Sequence, residues 1–230
     1  MNLIPQSVKD GFVRAVRPLA RALIRGGVTP NALTTMGLLV VLAAAAAFAH
    51  RDVRLGGLLL LFSGLFDILD GEVARQGNMG TVFGALYDST LDRLGEAALF
   101  AGLALFFLNG GVPPARETLA VAMAIVALVS SLLVSYTRAR AEGLGIDCRV
   151  GIAARTERLL AIGLPTLLFG AGPEGALVFW IVVVLAVVTA VTVVQRMVHV
   201  AQVSREPSGR PTRTRETVRG HAAAMRKSSR

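Results

Sequence analysis

The sequence predicts an all-α membrane protein with six transmembrane helices, preceded by an amphipathic juxtamembrane helix. Three observations support this fold class: the hydrophobic content, the spacing of long apolar segments and the distribution of basic residues. Hydrophobic residues make up 53% of the 230 residues and charged residues only 17%, whereas soluble domains average about 25% charged residues. An ordinary soluble domain is therefore excluded.

Six segments of the chain approach or exceed the length of about 20 mostly apolar residues that a transmembrane helix requires. They are residues 33–49, 55–76, 82–108, 118–141, 157–172 and 175–198. Turn-forming glycine, proline and asparagine residues lie between several of them. Aspartates interrupt the second and third segments, so these two segments need a separate explanation.

The N-terminal residues are predicted to form a helix on the membrane surface. Val8, Phe12, Val16, Leu19 and Leu23 recur near helical spacing, and basic residues fall largely between them, which is typical of an interfacial amphipathic helix. An ordinary surface helix is the alternative. The predicted domains are an amphipathic surface helix at 1–28, a six-helix transmembrane domain at 29–202 and a basic disordered tail at 203–230.

Basic residues exceed acidic residues, with 24 Lys and Arg against 15 Asp and Glu. They concentrate in the N-terminal segment, the loop after the fourth apolar segment and the tail. Because basic loops of membrane proteins tend to stay cytoplasmic, both termini are predicted to be cytoplasmic in a multi-pass protein of the inner (cytoplasmic) membrane. The lipid bilayer is therefore the expected partner, and nucleic acid is not. The single cysteine, Cys148, excludes an internal disulfide.

Four aspartates lie near the predicted cytoplasmic ends of the second and third segments: Asp67, Asp70, Asp88 and Asp92. A charged side chain in the middle of a bilayer costs about 2.5–3.5 kcal/mol even on a mild insertion scale, so such residues usually face a hydrated functional site. Spacings of three and four residues place each pair on one helical face. A short turn between the segments predicts antiparallel neighbouring helices on which the two pairs converge.

Four converging carboxylates repel one another unless cations lie between them. Oxygen ligands without histidine or cysteine suit Mg²⁺, Mn²⁺ or Ca²⁺ rather than zinc, and two such ions could hold a diphosphate. Gly71 and Gly84 leave room for a nucleotide or a neighbouring helix, and Arg75 can pair with phosphate oxygens. Salt bridges between helices are the alternative, but Arg75 and Arg93 are the only basic residues between positions 67 and 93.

The same part of the chain carries a sequence signature. The residues Asp67, Asp70, Gly71, Ala74, Arg75, Gly84, Asp88 and Asp92 occupy every fixed position of the CDP-alcohol phosphotransferase motif, so the chain resembles that family. Residues 29–34, which read Thr-Pro-Asn-Ala-Leu-Thr, also resemble the family's entry motif. The resemblance extends over the whole six-span layout and leaves out only the tail.

The resemblance implies an enzyme of phospholipid biosynthesis that binds the CDP diphosphate through two Mg²⁺ or Mn²⁺ ions. An acceptor hydroxyl attacks the phosphorus atom that bears the lipid, and CMP leaves. By motif position, the implied metal ligands are Asp67, Asp70, Asp88 and Asp92, and Asp92 is also the catalytic base. The implied contacts to the CDP donor are Asn31, Ala32, Leu33, Thr34, Gly71, Arg75 and Thr81. The resemblance also implies a homodimer, and the glycines at 56, 57 and 95 could serve either its interface or packing within one subunit.

The basic loop after the fourth segment and the end of the last segment resemble the phosphatidylinositol-phosphate synthase branch of the family. This resemblance implies that Arg138, Arg155 and Arg196 bind the phosphate of a phosphorylated polyol such as inositol phosphate, with CDP-diacylglycerol as donor. Clustered arginines also suit a phosphate by their own bidentate chemistry; the alternative is that they only flank membrane helices. Glycerol 3-phosphate would suit a similar site, so a phosphatidylglycerol-phosphate synthase is the alternative enzyme.

Two other protein classes share some of these features. An intramembrane prenyltransferase also grips a diphosphate through metals, but its acidic motifs lie far apart in the chain, whereas these lie on consecutive helices. A transporter also places acids inside the membrane, but the sequence shows no inverted repeat and no matching pair of broken helices.

Overall fold

The computed structural model describes residues 6–148, 150–152 and 155–205, without the side chains of residues 6–10, 12 and 13. Seven α-helices follow one another in these residues: α1 (Gln6–Arg25), α2 (Pro30–Ala49), α3 (Val53–Gln76), α4 (Val82–Phe106), α5 (Pro114–Gly143), α6 (Arg155–Phe169) and α7 (Ala176–Arg205). The described part of the chain contains no strand, which confirms the all-helical class. Most of the predicted basic tail, from residue 206 onward, lies outside the described residues.

Local turn chemistry sets the helix boundaries. Thr29 precedes α2, and its hydroxyl accepts a hydrogen bond from the backbone N–H of Ala32 at 3.3 Å. Pro30 is the first residue of α2, a position that proline favours because its missing N–H is not needed there. Thr81 caps α4 in the same way and accepts from the N–H of Gly84 at 2.9 Å. These caps explain why the helices begin near the predicted apolar segments.

Three of the described helices are long and apolar enough to cross a membrane: α2, α5, and α7 with the turn that precedes it, Pro173–Arg205. Their outer faces expose many leucine, isoleucine and valine side chains, which suits contact with lipid. α3 and α4 are interrupted by acids, and α6 has 15 residues, about 22 Å of helix against about 30 Å of hydrocarbon. The structure supports a helical membrane protein, and the count of six spans stays a prediction.

α1 packs one face onto α3 and the start of α2. The cluster buried under this face consists of Val16, Ala20, Leu33, Leu69 and Val73, and Leu23 packs against it. Leu19 was predicted on the same face but is 46% exposed, because Ala20 rather than Leu19 continues the face one turn after Val16. The side chains of Val8 and Phe12 lie outside the described residues.

α2 packs against both α3 and α4, whereas α3 and α4 make little direct contact with each other. The two helices were predicted as antiparallel neighbours on which the aspartate pairs converge, and the structure adds that their backbones seldom approach each other closely. α6 packs against α3, and α5 packs against α7. The helices that carry the aspartates are thus held in place through α2, and a gap remains between them.

The glycines of α3 and α4 permit close packing inside the subunit. A Cβ at Gly57 would lie 2.5 Å from Oγ1 of Thr166 and 2.8 Å from the carbonyl oxygen of Gly163, both on α6. A Cβ at Gly56 would lie 2.9 Å from the ring of Phe48, and one at Gly95 would lie 3.4 Å from Val41. Of the two roles left open by the sequence, packing within one subunit is the one that these contacts show.

Candidate active site between α3 and α4

The four aspartates face the gap between α3 and α4. One guanidinium nitrogen of Arg155, Nη1, donates to Oδ2 of Asp67 on α3 and forms an ion pair at 2.8 Å with Oδ1 of Asp92 on α4. Asp88 interacts electrostatically with Asp67, Asp70 and Asp92. Acids from two helices that barely touch therefore belong to one electrostatic cluster.

α2 contributes directly to this cluster because it packs against both aspartate helices. The hydroxyl of Thr34 donates to Oδ2 of Asp70 at 2.9 Å, and Asp70 is only 7% exposed. One residue later, the hydroxyls of Thr35 and Tyr87 lie 2.9 Å apart and join α2 to α4. Thr34 was predicted to contact the CDP donor substrate. The structure adds that its hydroxyl orients Asp70, a predicted metal ligand.

A cavity of about 180 Å³ lies beside Asp70 and Asp88. Four of the residues predicted to contact the CDP donor line it: Asn31, Thr34, Gly71 and Thr81. Gly84 also lines it, and a Cβ there would lie 3.0 Å from Oγ1 of Thr81 and 3.3 Å from Oδ1 of Asn31. A side chain at position 84 would therefore crowd the polar groups that the cavity presents to a ligand.

Three other predicted donor contacts lie outside the lining of this cavity. Leu33 is buried in the cluster under α1, and the N–H of Ala32 binds the cap residue Thr29. Arg75 donates from Nη2 to Oε2 of Glu72 at 2.8 Å, and its guanidinium lies near Gly71 at the margin of the cavity. Arg75 was predicted to bind phosphate, and its pairing with Glu72 was not predicted.

Glu72 joins α1 to the aspartate helix. Its buried carboxylate also accepts from Gln76 at 2.8 Å, and Oε1 lies 3.4 Å from Nε of Arg17 on α1. Glu72 occupies a variable position of the motif, between Gly71 and Ala74, so the motif gave no signal for it. Its position two residues after Asp70, with Arg75 three residues later, was the available signal.

The three arginines predicted to bind the acceptor phosphate lie in two separate places in the structure. Arg155 lies in the aspartate cluster. Arg196 is buried on α7 and donates to the carbonyl oxygens of Val150, at 2.9 Å, and of Val134. Arg138 is exposed and pairs with Glu142 at 2.9 Å, within electrostatic range of Arg196. The structure thus brings Arg138 and Arg196 near each other and places Arg155 beside the aspartates.

A buried ion pair between α4 and α6 was missed by the sequence analysis. Arg158 donates from Nε to Oε1 of Glu96 at 2.8 Å, and both side chains are 3% exposed. Glu96 continues the four-residue spacing of Asp88 and Asp92 on α4, and this spacing was the available signal. The sequence-based count of counter-charges was incomplete, because Arg155 and Arg158 reach the acids from α6.

The chemistry of these side chains fits divalent cations. Carboxylates alone form an oxygen donor set of the kind that Mg²⁺ and Mn²⁺ prefer, and their mutual repulsion favours a cation between them. In the described residues, no three Asp, Glu, His or Cys side chains lie close enough together to ligate one ion. The guanidinium of Arg155 lies between Asp67 and Asp92 instead.

Comparison with known proteins identifies the family. The family described as CDP-alcohol phosphatidyltransferase matches residues 27–194, which include the four aspartates and every residue that lines the cavity. The chain belongs to this family. The predicted membership and enzyme class, a CDP-alcohol phosphotransferase, are therefore confirmed.

Proteins similar to this chain match it over most of its length. The phosphatidylinositol phosphate synthase of Cutibacterium acnes is 39% identical over 200 residues, which cover 84% of this chain and 95% of that protein. A crystal structure of the Mycobacterium tuberculosis phosphatidylinositol phosphate synthase with CDP-DAG bound matches with a TM-score of 0.71 and 34% identity, over 81% of this chain and 94% of that one. A crystal structure of the same enzyme with manganese and citrate also matches with a TM-score of 0.71 and 34% identity, over 80% and 88%.

Proposed function

We propose that this enzyme transfers a phosphatidyl group from CDP-diacylglycerol to a hydroxyl of inositol phosphate and releases CMP. The observation that carries the proposal is the cluster of four motif aspartates around the α3–α4 gap, beside a cavity lined by motif glycines and polar α2 residues. Similarity to phosphatidylinositol phosphate synthases along most of the chain supports the choice of acceptor.

In the proposed reaction, the acceptor hydroxyl oxygen forms a bond to the phosphorus that bears diacylglycerol. The bond from this phosphorus to the bridging oxygen breaks, CMP leaves with that oxygen, and the hydroxyl proton passes to Asp92. Asp92 suits the role of base because its side chain, 19% exposed, faces the gap that the acceptor would enter. When bound to Asp67, Asp70, Asp88 and Asp92, two Mg²⁺ or Mn²⁺ ions would neutralise the diphosphate.

The cytidine end of the donor is assigned to the cavity beside Asp70. Asn31, Thr34 and Thr81 offer amide and hydroxyl groups there, while Gly71 leaves room for close approach. The α2 residues Ala32 and Leu33 belong to the same helical turn, and Leu33 fixes that turn against α1. Arg75, at the margin of the cavity, can exchange Glu72 for a phosphate oxygen.

The acceptor phosphate is assigned to Arg138, Arg155 and Arg196. Arg155→Ala or Arg196→Ala is expected to raise the KM for inositol phosphate far more than the KM for CDP-diacylglycerol. Arg140→Ala, which removes an exposed charge from α5, is the matched control. Equal changes in both KM values would count against the acceptor assignment.

We further propose that α2–α7 form six spans, that α1 lies on the cytoplasmic membrane surface and that the active site and both termini are cytoplasmic. α3 and α4 have 24 and 25 residues, enough to cross about 30 Å of hydrocarbon. Their motif aspartates lie in the part of each helix next to the 77–81 turn and face the gap rather than lipid. We also propose that the protein is a homodimer in the inner membrane. The proposed domain boundaries follow residues 28 and 202.

The direct test is CMP release from CDP-diacylglycerol by the purified protein with Mg²⁺ or Mn²⁺. The acceptor panel contains inositol phosphate, glycerol 3-phosphate, free inositol and serine. We expect release with inositol phosphate, none with free inositol, and loss of release on chelation of the metal. Faster release with glycerol 3-phosphate would instead favour a phosphatidylglycerol-phosphate synthase.

A further inference from the structure

The first two turns of α6 carry two arginines that hold acids of α4 in different ways. Arg158 uses Nε and Nη2 on one oxygen of Glu96, and both side chains are 3% exposed. Arg155 uses the single nitrogen Nη1 for both Asp67 and Asp92 and is 18% exposed. Within the described part of the chain, Nε of Arg155 is buried without a hydrogen-bond partner. The contact of Arg155 is therefore more accessible to solvent than that of Arg158, and it uses fewer of the guanidinium nitrogens.

Arg155 occupies oxygens that a divalent cation would need. Asp67 and Asp92 are motif aspartates from the two sides of the gap, and Nη1 of Arg155 lies between their carboxylates. A guanidinium and a divalent cation that share these oxygens would repel each other strongly at such short range. Arg155 in this position and a cation bound to both carboxylates are therefore alternatives.

We propose that Arg155 is an exchangeable counter-ion that a divalent cation displaces from Asp67 and Asp92, after which its guanidinium binds the phosphate of the acceptor. The second half rests on the proposed function, whereas the first half does not depend on the acceptor. The buried Arg158–Glu96 pair, one turn further along α6, keeps the helix attached to α4. Only the long side chain of Arg155 then has to move.

This exchange couples two binding sites through one side chain. A cation that releases Arg155 makes the arginine available to phosphate, and a phosphate that holds Arg155 leaves the carboxylates available to the cation. Such coupling is reciprocal and typically changes affinity by about 5- to 150-fold. The enzyme would therefore bind metal weakly alone and more tightly in the presence of a phosphorylated acceptor.

The first arm of the test measures Mn²⁺ binding to the full chain in detergent without any substrate, with free Mn²⁺ followed by electron paramagnetic resonance. Arg155→Ala is expected to tighten Mn²⁺ binding by about 5- to 150-fold. Arg155→Lys keeps the charge without the planar guanidinium and is expected to fall between wild type and Arg155→Ala. It also provides a second variant should the alanine variant fold poorly.

The matched control in this arm is Arg93→Ala. Arg93 interacts with Asp92 electrostatically, so its removal takes one positive charge from the neighbourhood without vacating the oxygens. If Arg155→Ala and Arg93→Ala tightened Mn²⁺ binding equally, loss of one nearby positive charge would explain the tightening. That result would overturn the proposal. Unchanged or weaker Mn²⁺ binding by Arg155→Ala would overturn it as well.

The second arm repeats the titration with inositol phosphate, corrected by a protein-free titration for Mn²⁺ bound directly by the phosphate. Inositol phosphate is expected to tighten Mn²⁺ binding to wild type but not to Arg155→Ala. Free inositol is expected to leave Mn²⁺ binding unchanged in both proteins. Equal tightening in both proteins would overturn the transfer of Arg155 to phosphate. If inositol phosphate is no substrate in the CMP assay, the proposed function fails, while the first arm still decides the exchange.

Discussion

The helix pairs α5–α7 and α3–α4 represent two ways of building a helical bundle in this chain. α5 and α7 pack directly against each other, and their buried faces contain the small and branched residues Ala120, Ala124, Ala127, Val178, Val182 and Ala186. α3 and α4 make little direct contact and instead turn acids toward a shared gap. Small apolar side chains allow helices to approach closely, whereas like charges and their hydration keep them apart.

This difference separates the parts of the molecule that stabilise it from the part that does chemistry. The α5–α7 face is filled by its own side chains. The α3–α4 gap is bordered by α2 and reached by Arg155 of α6, so residues distant in sequence determine its contents. Substitutions in the two regions should therefore affect different measurements, and four of them test this comparison in order of decreasing effect.

The largest effect is expected from Asp92→Asn, which keeps the shape of the side chain but removes the proposed base. Loss of a general base typically lowers turnover by about 10²- to 10⁴-fold, measured as CMP release per enzyme. Asp52→Asn, at the exposed start of α3, is the matched control and should keep wild-type turnover. Retained turnover in Asp92→Asn would remove Asp92 from the role of base.

The second substitution, Glu96→Gln, tests the buried connection from α4 to α6. It removes the negative charge that faces Arg158, and breaking a buried ion pair typically costs about 3–5 kcal/mol. The measurement is thermal unfolding in detergent. Glu142→Gln breaks the exposed pair with Arg138 and should cost about 0–1 kcal/mol; equal losses in the two variants would contradict a stabilising role for the buried pair.

The third substitution, Thr34→Val, removes the hydroxyl that donates to Asp70. A hydrogen bond to a charged group contributes about 1.5–3 kcal/mol, so kcat/KM should fall by about 10- to 100-fold with little change in melting temperature. Thr35→Val removes the neighbouring contact to Tyr87 and serves as control. A larger loss of activity in Thr35→Val would move the functional role from Asp70 to the α2–α4 contact.

The smallest effect is expected from Ala127→Leu in the apolar region. Ala127 is fully buried on α5, and overpacking a filled core costs about 1–3 kcal/mol. Ala122→Leu, on the exposed face of the same helix, is the control and should leave the melting temperature unchanged. A folded Ala127→Leu protein with wild-type melting temperature but lost turnover would contradict the division between the two regions.

The sequence predicted the helices and the family well because both depend on residues close together in the chain. Apolar segment length, the caps at Thr29 and Thr81 and the turn at 77–81 are local properties. The motif aspartates also share their helical faces by local spacing. Their membership of one cluster therefore followed from sequence, although the gap between α3 and α4 did not.

The sequence did not predict the partners that cross long stretches of chain. Arg155 lies 88 residues from Asp67, and Arg158 lies 62 residues from Glu96, so neither contact leaves a periodic signal. α2 also packs against both α3 and α4, and no pattern within those two helices shows this. Tertiary packing decided which arginine meets which acid.

At the end of the bundle opposite the aspartates, two connections and the end of α2 meet closely. Nδ2 of Asn109 donates to the carbonyl oxygen of Ala49 at 2.8 Å, which ties the start of the α4–α5 connection to the end of α2. A Cβ at Gly175 would overlap the carbonyl oxygen of Gly111, so the turn before α7 touches the same connection backbone to backbone. A side chain at Gly175 would separate these backbones, so this end of the bundle depends on the absence of a Cβ there.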